Sequence, residues 1–172
     1  ADERSNAALQ ALSCIGNEAI VISGEAKGHR GYVTGKHGGV DHVMIAFKKE
    51  TLEKLTLHDE FLIKAKGQGL EILSLKGVDV FNLDPDLLKA MDPKLDNERL
   101  IVDVAKVIPA HLMGSGLGST SLKSGDYDIM MHDTKEVERL GLKELRFGDI
   151  VAIEDHYATY GPDYLKGAVS IG

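Results

Sequence analysis

The sequence predicts a mainly β chain, a duplicated β-barrel whose strands are joined by short connecting helices. Three observations carry this reading. Short apolar runs alternate with glycine-rich loops, and 19 Gly against 4 Pro in 172 residues leave most turns to glycine. Helical spacing is confined to brief stretches. One pattern of strand, short helix, Asp turn and strand is written twice.

Taken in order, residues 2–14 place Ala8, Leu9, Leu12 and Ile15 at helical spacing, closed by Gly16. Ala19-Ile20-Val21-Ile22, Gly31-Tyr32-Val33-Thr34 and His42-Val43-Met44-Ile45-Ala46-Phe47 read as strands. Residues 48–55 suit one or two helical turns. Phe61–Ala65 and Leu70–Leu73 read as strands around a Lys66-Gly67-Gln68-Gly69 turn. Asp84-Pro85 is an N-cap followed by proline at the first helical position, opening a helix to about Met91. Leu100–Ile108 reads as a strand ended by Pro109. Asp133-Thr134-Lys135-Glu136 matches a capping box, with Gly141 at the helix end. The chain stops at Lys166-Gly167-Ala168-Val169-Ser170-Ile171-Gly172, inside an apolar run. Such an end is expected either of a strand clamped in a sheet or of a piece of a longer chain.

The duplication sets the expected organisation. Leu55, Leu57, Asp59 and Ile63 align with Leu145, Phe147, Asp149 and Ile153 at a constant offset of 90. Upstream of each copy lie a short charged helix (48–54 and 134–144), a strand (41–45 and 127–131) and a glycine loop (35–39 and 114–118). We therefore expect a single compact unit over 1–172, made of pseudo-repeats at about 17–75 and 100–172 with a helical linker at 76–99. Packing two such halves about a pseudo-twofold axis removes sheet edges.

Composition bounds the function. Apolar residues make up 43% and charged residues 27%, and mean hydropathy is −0.11, as in globular proteins. No apolar run approaches the ~20 residues of a membrane span. The net charge of −7 counts against a phosphate-backbone partner. Cys14 is the single cysteine, so a reducing, cytoplasmic setting is expected.

Histidines and acids beside glycine loops are the candidate chemical groups. In Gly35-Lys36-His37-Gly38-Gly39-Val40-Asp41-His42 the glycines let backbone approach a ligand, while His37, Asp41 and His42 offer metal-ligating or acid–base side chains. Glu154-Asp155-His156 puts three ionisable groups directly after a strand. Gly114-Ser115-Gly116-Leu117-Gly118 could bind a ligand through backbone N–H groups, with His111 leading into it. Asp126-Tyr127-Asp128 suits a turn or a cation site, and Cys14 reads as core.

Several resemblances rest on these blocks. Gly148-Asp149 followed by Ile150-Val151-Ala152-Ile153 resembles the GD box of cradle-loop barrels; His58 stands in place of glycine in the first copy. Val21 through Gly24-Glu25-Ala26-Lys27-Gly28-His29-Arg30-Gly31-Tyr32-Val33 resembles the KOW motif of small SH3-like barrels in ribosomal and transcription proteins. That reading has Lys27, His29, Arg30 and Lys36 pointing outward. The blocks 14–19, 35–39, 114–118, 125–128, 146–153 and 166–172 together resemble a prokaryotic family known as a domain of unknown function, over nearly the whole chain. Members of that family look longer at both ends. His37-Gly38-Gly39-Val40-Asp41, with Ala65–Glu71, is similar to the acetamidase/formamidase family, which hydrolyses small amides; Val40 stands where that family has Asn. This similarity implies His37 and Asp41 near a metal-bound water, with Glu71 or Asp155 moving protons.

The expected function is therefore metal-assisted hydrolysis of a small amide-type substrate. Catalysis would fall to His37, Asp155 and Glu71, and a divalent metal to His37, Asp41, His42 and His156. Gly38, Gly39, Gly114, Ser115, Gly116 and Gly118 would shape the ligand pocket. The alternatives are a KOW-like nucleic-acid or ribosome-associated module and a structural or assembly protein, a homo-oligomer or one completed by another chain segment.

Overall fold

A computed structural model of the chain describes residues 2–37, 42–116, 122 and 126–172. It is mainly β and divides into two units, Ala1–Asp92 and Pro93–Gly172. The boundary falls inside the segment 76–99, which holds one helix and the start of a hairpin.

In the first unit, α1 (Glu3–Leu12) is capped by Asp2, whose carboxylate accepts from the Ser5 N–H at 3.0 Å. Strands β1 (Glu18–Val21), β2 (Arg30–His37), β3 (His42–Ala46) and β4 (Phe61–Ile63) form one antiparallel sheet in the order β3-β2-β1-β4. The short α2 (Lys49–Leu52) joins β3 to β4, and α3 (Pro85–Ala90) starts at the expected Asp84-Pro85 cap. This unit buries Cys14, Ala19, Val21, Ala26 and Val33, together with the polar Gln10, Asn17, Lys36 and Asp84. Asn17 pins the polar part. Its Oδ1 accepts from Cys14 N at 2.8 Å, and its Nδ2 donates to Lys66 O at 2.9 Å and Asp84 Oδ2 at 2.8 Å.

In the second unit, β5 (Lys94–Asp96) and β6 (Arg99–Ile101) make a hairpin. A three-stranded sheet follows, with β8 (Val151–Tyr157) between parallel β7 (Lys106–Ile108) and antiparallel β9 (Asp163–Ile171). The helix α4 (Thr134–Arg139) is capped by Asp133, and Gly141 just beyond it takes φ 65°, which favours glycine. Ile108, Leu112, Met113, Val137, Leu142 and Ile153 form the apolar core.

Two expected strands differ. Residues 70–73 form no strand. Gly67 and Gly69 both take positive φ (109° and 76°), and the chain turns away so that Leu73 is 93% exposed. The run 100–108 is broken between β6 and β7, because its halves pair with different partners, β5 and β8.

The repeated turn has the same hydrogen bonds in both copies. Thr56 N donates to Asp59 Oδ2 at 2.7 Å, and Arg146 N donates to Asp149 Oδ2 at 2.8 Å. Asp59 N returns to Thr56 O at 3.2 Å, and Asp149 N to Arg146 O at 3.0 Å. Each turn runs directly into a strand. The sheets around them differ, since β1 runs antiparallel to β4 while β7 runs parallel to β8.

One β-bulge in each unit positions the site residues. On β2 the register slips at Thr34, so Val33 opposes Ile45 but Gly35 opposes Met44. An extra residue reverses which side chains face inward. Lys36 is therefore buried at 4% exposure and His37 is turned outward, contrary to the outward Lys36 of the KOW-like reading. Between β8 and β9 the register jumps, Glu154 opposing Val169 but His156 opposing Tyr164, so that four β9 residues stand against one of β8, Asp155. Asp155 takes φ 51° and accepts from Gly167 N at 2.7 Å. After it His156 is buried, while Glu154 and Asp155 remain exposed.

Candidate functional site

The predicted residues separate into two groups. In the first unit His37 and His42 are register partners on β2 and β3, and both are exposed. Directly opposed residues share a face of the sheet, and the rings lie near-parallel with centroids 6.4 Å apart. Gly38, Gly39 and Asp41 lie outside the described residues. Glu71 is exposed in the turn region after Gly69. His156 and Asp155 belong to the second unit. Among the described residues, no three His, Cys, Asp or Glu side chains are grouped to hold a metal ion.

The second unit brings several candidates to one place. His156 is 2% exposed, and its ring packs against Tyr127 at a centroid distance of 4.5 Å and 56° between planes. Ser170, on β9, reaches both the ring and the backbone of His156. The Ser170 hydroxyl donates to the His156 carbonyl at 3.2 Å. The same hydroxyl lies 2.7 Å from Nδ1. With Nδ1–H as the donor there, the neutral ring carries its lone pair on Nε2. Burial pulls the His156 pKa below the ordinary value, so the neutral form holds at physiological pH.

Nε2 has no hydrogen-bond partner among the described residues, and neither has the Tyr127 hydroxyl. Burial, with Tyr164 and Asp163 nearby, pushes the Tyr127 pKa up, so its hydroxyl keeps its proton. Two buried polar atoms, His156 Nε2 and the Tyr127 hydroxyl, thus stand open at one ring contact. Such groups are the exception in folded proteins and call for a water or a ligand.

The glycine loop lies against Tyr127. Gly114 N donates to Asp128 O at 2.8 Å, and the Ser115 hydroxyl donates to Asp128 Oδ2 at 2.5 Å. Gly116 takes φ 109°, and a Cβ there would fall 2.8 Å from the Tyr127 ring. Only glycine lets the loop lie this close to the tyrosine. Gly118 lies outside the described residues. Asp155 is occupied in holding the bulge through Gly167.

Tyr127 and Ser170 are the residues that sequence reasoning missed. Tyr127 sits between two aspartates that drew attention to themselves, and Ser170 reads as one polar position in a final strand. No spacing signal links either to His156; their meeting depends on the bulge and on β8–β9 pairing.

Comparisons with known proteins agree with this division. No protein of curated function resembles the chain significantly. The crystal structure of TM1086 is similar, with a TM-score of 0.93 and 52% sequence identity over 99% of this chain. The chain spans 60% of the length of that protein. Residues 1–89 match the N-terminal model of the domain of unknown function DUF4438, and residues 90–172 match its C-terminal model. With both halves matched in order, the chain belongs to the DUF4438 family.

Proposed function

We propose that the second unit binds a small amide-type molecule and hydrolyses it, with His156 as general base and Tyr127 as hydrogen-bond donor. The observation that carries this reading is the pair of buried, unpartnered polar atoms, His156 Nε2 and the Tyr127 hydroxyl. An amide suits them, because its carbonyl accepts from the Tyr127 hydroxyl while the imidazole lone pair stays open to a water. In the reaction, Nε2 takes a proton from a water whose oxygen bonds to the carbonyl carbon. The Tyr127 hydroxyl steadies the developing oxyanion. The C–N bond then breaks, and the amine departs with the proton held by His156, leaving a carboxylic acid. Ser170 keeps the imidazole in the tautomer that this step needs.

The repeated Asp turns support a duplicated barrel as the scaffold, since each launches a strand of its unit's sheet. A second reading assigns a divalent cation to the cross-strand pair His37 and His42, completed by a further ligand. Elemental analysis tests it: a stoichiometric metal lost in His37→Ala supports that site, and metal content unchanged in His37→Ala removes it.

The hydrolase reading is tested by release of ammonia from formamide, acetamide and propionamide. Tyr127→Phe is the informative variant. Its hydroxyl has no partner to lose, so the fold should be retained or stabilised by up to ~1 kcal/mol. Ammonia release should fall at least about tenfold, as for loss of an oxyanion donor. Absence of release from all three amides would overturn the proposal.

A further inference from the structure

We propose that Tyr164 covers the His156 site and sets the size of the molecule that reaches it, admitting small amides and excluding bulky ones. This rests on the reading of His156 and Tyr127 as one binding site. On β9, Tyr164 is the register partner of His156 on β8, and directly opposed residues share a face of the sheet. The two are unequally covered, His156 at 2% exposure and Tyr164 at 49%. The Tyr164 hydroxyl donates to Ala110 O at 3.3 Å. Ala110 opens the short helical turn Ala110–Leu112, which follows β7 and packs against β8. Strands β7 and β9 flank β8 on opposite sides. A side chain that leaves β9 and ends at this turn therefore crosses β8 on the face that carries His156.

The groups on that face are the ones without partners. His156 Nε2 and the Tyr127 hydroxyl are buried and unbonded among the described residues, with their rings 4.5 Å apart. Tyr164 and Asp163 lie near the Tyr127 hydroxyl. Buried polar atoms are costly without partners, so a cover that moves, and lets water or a ligand reach them, is favoured over a sealed wall.

Two features let Tyr164 move. The bond that ties its hydroxyl to Ala110 is neutral and long, 3.3 Å against about 2.7 Å for a usual O–H···O bond. The four residues after it, Leu165 to Ala168, have no register partner on β8, so the ladder does not hold the strand there. Swinging the ring off Ala110 uncovers His156 without disturbing the apolar core, to which Tyr164 does not belong. A molecule wider than the opening is turned away.

The test treats the full chain with diethyl pyrocarbonate, which acylates an imidazole nitrogen, and times the label on each histidine by peptide mass mapping. Tyr164→Phe removes only the tie to Ala110 and should speed labelling of His156 about fivefold, as for loss of one neutral hydrogen bond. Tyr164→Ala should speed it further, while the exposed His58 and His132 keep their rates. The wild-type His156 rate should stay flat in dilute urea, because a local opening exposes little surface. Equal His156 rates in the three proteins, or a wild-type rate that climbs with urea as unfolding does, would overturn the proposal. The urea series decides the matter even if Tyr164→Ala fails to fold. Ammonia release gives the second arm, in which Tyr164→Ala should raise turnover of benzamide relative to formamide. An unchanged ratio in an active Tyr164→Ala would overturn the role in size. Labelling that follows Tyr164, with no ammonia from any amide, supports the cover and removes the hydrolase reading.

Discussion

His156 and Lys36 are bases that burial holds toward their neutral forms, so proton uptake should act against the fold through each of them. The sign is the same for both. A folded pKa below the unfolded one means that the unfolded chain binds more protons between the two values, so stability rises with pH across that window. For His156 the window ends near the ordinary value of 6.5, and stability should fall as pH drops below it. For Lys36 it runs from about 8 to 10.5. Thermal melts from pH 5 to 7 should therefore show a slope that His156→Gln flattens. Melts from pH 8 to 10.5 should show one that Lys36→Met flattens. An unchanged slope in either variant would mean that the side chain is hydrated in the fold.

The two bulges and the two Asp turns are the elements on which the account depends. At Asp155 the backbone takes φ 51°, and the carboxylate holds Gly167 N. Asp155→Ala loses that bond and keeps the strain, so we expect about 2 kcal/mol of destabilisation. Asp155→Gly should cost less, because it relieves the strain. Chemical denaturation of the two variants measures the difference. The matched turns make a paired prediction. Asp59→Ala and Asp149→Ala should each lose about 1 kcal/mol for the equivalent bond to a backbone N–H. Asp59→Ala should lose slightly more, because the Asp59 carboxylate also accepts from the Ser23 hydroxyl at 3.4 Å.

These elements also separate what was legible in the sequence from what was not. The Asp84-Pro85 cap, the capping box at Asp133 and the repeat at 55–63 and 145–153 are local signals, and each names its own structure. Long apolar runs marked β1, β3 and β8, whereas residues 70–73 and 100–108 misled because pairing partners are not local. The bulges were hidden entirely. Simple alternation carried past Thr34 puts Lys36 on the outer face, and only the register slip puts it inside. The same blindness treated Glu154-Asp155-His156 as one cluster, when the slip sends its members to different sides. Tyr127 and Ser170 were invisible because they reach His156 through tertiary pairing alone.

For the molecule as a whole, charge and the fate of each cation bear on the nucleic-acid alternative. The net charge is −7. In the KOW-like segment Arg30 pairs with Glu18 at 2.5 Å, and Lys36 is buried, which leaves Lys27 exposed. A binding curve that steepens at low salt needs several free cations on one face. Titration of the chain with single-stranded RNA should accordingly give no salt-dependent complex. A complex lost on Lys27→Ala would restore that reading. No helix among the described residues is long and apolar enough to cross a membrane.

The central claim is that His156 stands neutral, with its proton on Nδ1 and a lone pair on Nε2 that stays open to a water beside the amide. A long-range proton–nitrogen NMR spectrum of the whole chain, recorded with and without acetamide, tests it most directly. The account predicts an Nδ1–H signal with a pKa below 6.5, and a shift confined to Nε2 when acetamide is added. An Nε2–H tautomer, or nitrogen signals that acetamide leaves unmoved, would contradict it.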